Sequence, residues 1–312
     1  MSDAKFAVYG AGGLGGYFAA VLARAGYWVG LIARGGQLEA IRANGLHVES
    51  PKGSFEARPA RVAARPEEIG PVDAVILAVK AWQVSEAAEA MRPLLSAGTK
   101  VLPLQNGVDA SEQIEKVLGR DHTLIGLCKV LSAVTAPGHI RYVGMEATVS
   151  LGESNGGELS ANAKLLAGAL RKAGVAVDTP SDMRAALWGK LLFIAAMSGV
   201  GAVSRSTVGE IRQSPQTRGL LQQVMEEVRA VAVGRGVRLA DDVVTKTLEF
   251  VETLPSNGTA SMQRDIADGK PSELEAIIGA VARYGDQAGI ATPATDLIYA
   301  SLLPQEQRAR GK

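Results

Sequence analysis

Three groups of residues in this chain have types and spacings suited to chemistry. The first is Gly10-Ala11-Gly12-Gly13-Leu14-Gly15, between the apolar run Lys5-Phe6-Ala7-Val8-Tyr9 and the run Tyr17-Phe18-Ala19-Ala20-Val21-Leu22-Ala23. Glycines at G-x-G-x-x-G spacing between a strand and a helix aim backbone N–H groups and a helix N-terminus at a pyrophosphate. Gly10 allows the tight turn, Gly12 lets a phosphate approach the backbone, and Gly15 lets the helix pack close on the strand. Gly13 and Leu14 complete the cofactor-binding turn.

The next strand-like run, Trp28 to Ala33, ends on Ala33-Arg34. A site for NAD usually places Asp or Glu there to accept from the ribose 2′-OH. Here no carboxylate would repel a 2′-phosphate, and a guanidinium is present to bind one. The pattern predicts NADP, as NADPH, over NAD. Lys80 and Gln83, in Lys80-Ala81-Trp82-Gln83, follow another strand-like run. Lys80 is either a cofactor-phosphate ligand or a solvated lysine.

The second group surrounds Lys190. At about 100° per residue, Met183, Leu187, Ile194 and Met197 fall on the same helical side as this lysine. It therefore lies on an apolar stripe. Either its stem packs while the ammonium snorkels to water, or the ammonium sits in a cleft and donates to a substrate oxygen.

The third group is Asn106, in Leu104-Gln105-Asn106-Gly107-Val108, together with Ser261 and Glu273. Asn106 is either a turn former or a ligand at the carboxyl end of a strand, where α/β sheets bind ligands. Ser261 is either a helix cap or a substrate ligand. Ser272 and Glu275 fit an S-x-x-E capping box, which makes Glu275 structural and leaves Glu273 available.

The elements that must position these groups change character along the chain. Up to residue 180, β-rich runs alternate with helical ones, which predicts a doubly wound parallel α/β sheet. Strand-like runs include Ala74–Val79, Lys100–Leu104 and Thr123–Gly126; Trp82–Leu95, Ala110–Val117 and Ala161–Ala173 read as helices. Beyond Thr179-Pro180 the chain reads as almost wholly helical, with Leu221, Val224, Val228 and Val231 at helical spacing. The expected plan is a Rossmann nucleotide domain over 1–180 and an all-α substrate domain over 181–312.

Composition narrows the function. A net charge of +1 gives no field for nucleic acid or an anionic membrane. There is no unbroken apolar run of the ~18 residues that a membrane span needs. A first strand beginning at Lys5 predicts no signal peptide. The one cysteine, Cys128, excludes an internal disulfide and fits a cytoplasmic protein. Three histidines scattered singly argue against a metal site. Long amphipathic helices leave a homodimer open.

Together the Gly10–Gly15 turn, Arg34, the Lys80–Gln83 run, the Leu104–Val108 run, Trp188-Gly189-Lys190, Ser261-Met262 and Glu273 resemble the ketopantoate reductase (2-dehydropantoate 2-reductase) family. The resemblance runs over nearly the whole chain. It implies NADPH-dependent reduction of a 2-oxo acid to a 2-hydroxy acid, with Lys190 protonating the ketone oxygen. By the same likeness Glu273 orients Lys190 or a substrate hydroxyl, and Ser261 binds the substrate carboxylate. Asn106 sits between nicotinamide and substrate, and Arg34 and Lys80 hold the 2′-phosphate.

The chain departs from that family at three places. Asparagines expected four and eight residues after the lysine are Ile194 and Ser198, and Ile278 stands where an asparagine often precedes Gly279. Ser198 keeps a hydroxyl, and Asn257 is a candidate to replace a lost amide. Apolar replacements suit a hydroxylated substrate less well. The readings are therefore reduction of ketopantoate, reduction of a more apolar 2-oxo acid, a non-catalytic NADPH-binding regulatory protein, and opine-type reductive amination.

Overall fold

The computed structural model describes residues 4–144 and 146–311. The chain forms two compact units. One holds the chain through Gln105 together with Ala110–Met183; the other holds Asn106–Asp109 together with the chain from Arg184 onward.

The first unit runs β1 (Lys5–Tyr9), α1 (Gly13–Arg24), β2 (Trp28–Ile32), α2 (Gly35–Asn44), β3 (Leu46–Glu49), β4 (Phe55–Ala57), β5 (Arg61–Ala63), β6 (Ala74–Leu77), α3 (Val84–Ala90) and β7 (Lys100–Pro103). It continues with α4 (Ala110–Leu118), β8 (Leu124–Lys129), β9 (Ser132–Ala136), β10 (His139–Tyr142), β11 (Thr148–Glu153), α5 (Ala161–Lys172) and β12 (Ala176–Asp178). Five parallel strands form its main sheet in the order β5-β2-β1-β6-β7. Their continuous apolar runs follow from burial on both faces: β6 and β7 are buried at every residue.

Register lines up the carboxyl ends, with Tyr9 opposite Ile32 and Leu77, and Leu77 opposite Pro103. Gly10, Ala33-Arg34, Ala78–Lys80 and Gln105 therefore leave the sheet at one edge. That edge is where open α/β sheets bind ligands.

Two smaller sheets complete the unit. β8, β11 and β12 form one, with β11 antiparallel to β8 and parallel to β12. The other, β4-β3-β10-β9, packs on α1. A Cβ on Gly16 of α1 would lie 2.7 Å from Ile140 Cδ1, which marks how closely this helix approaches the sheet. β3, β4, β5 and β9 have no counterpart among the strand-like runs of the sequence. The sequence spacing predicts one helix over Trp82–Leu95, whereas α3 stops at Ala90 and 3₁₀ turns flank it at Ala81–Gln83 and Arg92–Leu94. Pro93 lacks an N–H and disfavours helix in the residue before it.

The second unit is built of α6 (Met183–Ser204), α7 (Val208–Gln213), α8 (Pro215–Gly234), α9 (Val243–Thr253), α10 (Ser261–Ala267), α11 (Ala280–Ala288) and α12 (Pro293–Ala309). A π-helical turn over Glu275–Gly279 runs directly into α11. By length and composition α6 could cross a membrane, with a mean hydropathy of 1.6. However, 67% of that stretch is buried within the fold, as in the core helix of a packed domain.

Two buried carboxylates fix helix starts here. Glu227 on α8 accepts from the N–H groups of Ala294 and Thr295 at 2.9 and 2.8 Å, capping α12 from another helix. Glu306, on α12 itself, does the same for the segment that begins at Ser272.

Candidate active site

The nucleotide end of the first unit is built from the glycine turn. Gly10 has φ +107°, and a Cβ there would stand 2.9 Å from the carbonyl oxygen of Ala78. A Cβ on Gly15 would collide with the Gly10 carbonyl oxygen at 1.8 Å. One on Gly13 would lie 2.6 Å from the Ser132 carbonyl oxygen, where β9 begins. Gly12 is different, since nothing lies within 4 Å of its Cβ position.

Gly12 is also the N-cap of α1. It offers no side-chain cap, and the first turn carries no acidic residue. The orphan N–H groups of a twelve-residue helix thus meet an open position with positive local potential. That cradle fits a pyrophosphate. Leu14 packs against the core beside it.

Arg34 is exposed where β2 ends, in extended backbone ahead of α2. Its side chain hydrogen-bonds Tyr9. Burial raises the Tyr9 pKa above its ordinary value, and Arg34 opposes that rise. Lys80 is exposed, with its Nζ 5.8 Å from the centre of the Trp82 ring. Gln83 Oε1 accepts from the Lys80 N–H at 3.3 Å.

Sequence reasoning missed Gln105. Its Nε2 donates to the carbonyls of Leu77 and Val79 at 2.9 and 3.0 Å, tying β7 to the end of β6. Its Oε1 is buried with no partner among the described residues. The signal in the sequence is its place at the end of a strand-like run, next to Asn106.

In the second unit the structure joins two predicted residues directly. Asn106 Nδ2 donates to Glu273 Oε2 at 2.9 Å across 167 residues of sequence. Glu273 is only 8% exposed. Lys190 and Ile194, one turn apart on α6, are both half-buried, while Leu187 and Met197 on the same stripe are buried. The stripe is therefore open to solvent at the lysine.

Three expectations are corrected: Ser261 as a helix cap, the Ser272–Glu275 capping box, and Ile278 as pocket wall. Ser261 is exposed and is the first residue of α10; Ala260 is the N-cap, and its N–H is held by Gln263 Oε1 at 3.3 Å. Glu275 forms no capping box with Ser272. It bonds Arg283 and Tyr299 instead, and Glu306 takes the capping role. Ser198 is buried on α6, 3% exposed. Ile278 is fully buried, its Cδ1 3.1 Å from the Cβ position of Gly199, so it is core and not pocket wall. Asn257 lies in an exposed turn before α10.

A parallel sheet with a pyrophosphate cradle, followed by a helical unit carrying a half-exposed lysine and a hydrogen-bonded amide–carboxylate pair, defines a nicotinamide-dependent oxidoreductase. The chain belongs to the ketopantoate reductase PanE/ApbA family, whose N-terminal description matches residues 6–156 and whose C-terminal description matches residues 182–306.

The chain is 33% identical to the 2-dehydropantoate 2-reductase of Mesorhizobium japonicum, over 95% of this chain and 96% of that one. It is 28% identical to the enzyme of the same name from Nostoc sp., over 97% and 95%. The crystal structure of a PanE/ApbA family ketopantoate reductase from Ralstonia eutropha JMP134 superposes with a TM-score of 0.89 at 32% identity, covering 98% of this chain and 99% of that one. D-mandelate dehydrogenase, solved with NADH and anilino(oxo)acetate, shares the fold at 24% identity, with a TM-score of 0.87 over 98% and 99%. The protein is thus a reductase of the 2-oxo acid class.

Proposed function

We propose that the protein reduces 2-dehydropantoate to pantoate with NADPH, in the cytoplasm. Reduced NADP, when bound, supplies the hydride. The Gly10–Gly15 turn binds the pyrophosphate through backbone N–H groups, and Arg34, Lys80 and Gln83 serve the adenosine phosphate. The preference for NADP rests on the absence of a carboxylate after β2 and on the exposed Arg34 in its place.

Lys190 hydrogen-bonds the ketone oxygen and gives it a proton as negative charge develops. Glu273 uses the oxygen not engaged by Asn106 to orient Lys190 or a substrate hydroxyl. Ser261 binds the substrate carboxylate, with Asn257 as an amide nearby in sequence. The observation that carries this reading is the Asn106–Glu273 hydrogen bond, which joins two residues singled out separately in the sequence.

A second reading, reduction of a more apolar 2-oxo acid, rests on Ile194, half-exposed one turn beyond Lys190. The test is oxidation of NADPH with 2-dehydropantoate beside a panel of apolar 2-oxo acids, with NADH as control. A preference for 2-dehydropantoate supports the first reading and a preference for an apolar acid the second. No turnover with any of them overturns both.

A further inference from the structure

Asp109 ends the turn that Asn106 begins. Its Oδ2 accepts from Arg283 Nη2 at 2.5 Å, and its Oδ1 accepts from the Tyr284 hydroxyl. Arg283 is held from its other side, with Nη1 2.7 Å from Glu275 Oε1, and Glu275 Oε2 accepts from the Tyr299 hydroxyl at 2.6 Å. Burial works against the charge on Arg283, but the Asp109 and Glu275 carboxylates more than offset it and hold its pKa above the ordinary value. The Tyr284 ring is covered by the Arg235 guanidinium at 3.8 Å from the ring centre.

Between the two ends lies Gly107, with φ +97° and its Cβ position 2.6 Å from the Ala276 carbonyl oxygen. The turn is thus fastened at three points within the second unit: Asn106 on Glu273, Gly107 against the π-turn, and Asp109 on α11. At the end of this turn Asp109 is gripped at both carboxylate oxygens, by Arg283 and by Tyr284.

We propose that Asp109 is a positioning residue for the reduction: gripped by Arg283 and Tyr284, it holds the Asn106 amide on Glu273. In this assignment Asp109 acts through Asn106 and not on the reacting atoms. The assignment rests on the reading of Asn106 and Glu273 given under Proposed function. A bond from Asn106 fixes one oxygen of Glu273 and so aims the other. Loss of such aim by about 1 Å costs on the order of 10²-fold in rate.

The test uses the full-length protein with ¹⁵N-labelled asparagine. The side-chain amide signal of Asn106 is identified by its loss in Asn106→Ser. In Asp109→Ala this signal is expected to move toward those of solvated amides and to exchange faster. The kcat for the 2-oxo acid is expected to fall at least ~10-fold, with the affinity for NADPH unchanged. Tyr284→Phe, which keeps the Arg283 contact, gives a smaller change in the same direction. In an Asn106→Ser background, Asp109→Ala adds no further loss of kcat.

An Asn106 signal that stays in place in Asp109→Ala, or losses that simply add, overturns the proposal. If Asp109→Ala does not fold, an unmoved signal in Tyr284→Phe overturns it. If the wild type reduces no 2-oxo acid, the functional reading fails separately, and the amide signal still decides whether Asp109 positions Asn106.

Discussion

Glu306 and Ser272 stand 34 residues apart, yet the carboxylate of one caps the backbone of the other. The Ser272 N–H donates to both Glu306 oxygens at 3.1 and 3.0 Å, and its hydroxyl donates to Oε2 at 2.5 Å. Arg310 closes the arrangement, with Nε 2.5 Å from Glu306 Oε1 and Nη2 2.9 Å from the Ser272 carbonyl. Glu273 is the next residue, so this cap fixes where its side chain starts. Glu306→Ala leaves Arg310 and the Ser272 N–H without their shared acceptor. It is expected to cost about 3 kcal/mol or more, measured by urea unfolding. Glu306→Gln should cost less.

Lys190→Ala removes the proposed proton donor from a half-exposed position, where no cavity in a closed core results. The expected outcome is a drop in kcat of about 10²-fold or more, the scale for losing a group that stabilises developing negative charge. Binding of NADPH, followed by fluorescence titration, should be unchanged. Survival of turnover would reduce Lys190 to a snorkelling side chain.

Arg34→Ala tests the cofactor choice. Hydrogen bonds to charged groups contribute about 1.5–3 kcal/mol, so the KM for NADPH should rise by roughly 10- to 100-fold. The KM for NADH should hardly move. Equal effects on both cofactors would mean that Arg34 does not read the 2′-phosphate.

The first unit contains a buried ion pair with a pH signature. Lys100 Nζ lies 2.8 Å from Glu153 Oε2 and 2.6 Å from the Asp121 carbonyl oxygen. Burial would raise the Glu153 pKa, but Lys100 and the Ser160 N–H outweigh it and hold the carboxyl below its ordinary value of 4.5. A lowered folded-state pKa contributes stability above the unfolded value, lost as pH falls through the folded one. Thermal stability should therefore decline on acidification below about pH 4.5. Glu153→Gln should flatten that decline while being less stable at neutral pH.

Arg205, just past α6, has φ +55°, the one non-glycine residue in the left-handed region among those described. Helices commonly place glycine there, and other residues pay roughly 1 kcal/mol for it. Arg205→Gly should raise stability by about that amount in chemical denaturation.

Local features were legible in the sequence, and distant ones were not. The Gly10–Gly15 turn, β1, β2 and the long apolar α6 follow from short-range spacing, because strands and helices write their periods into neighbouring residues. Asn106 and Glu273 could be suspected one at a time, but nothing in either neighbourhood announced the bond between them. The Ser272–Glu275 spacing even pointed the wrong way, because a carboxylate 34 residues downstream satisfies the same N–H. His47 and His139, read as scattered singly, face each other on β3 and β10 with ring centres 5.1 Å apart. Ile278 looked like a pocket substitution because register with a family says nothing about which way a side chain points in a π-turn.

The four residues Asn106–Asp109 have a consequence for anyone recombining members of this family. They follow β7 in the chain but belong with the helices. A chimaera cut once near residue 183 would graft a foreign helical half onto a native turn, separating Asn106 from Glu273 and Asp109 from Arg283. Swapping the halves of two homologues calls for a second, very short exchange, made where the chain leaves the nucleotide-binding sheet for only four residues.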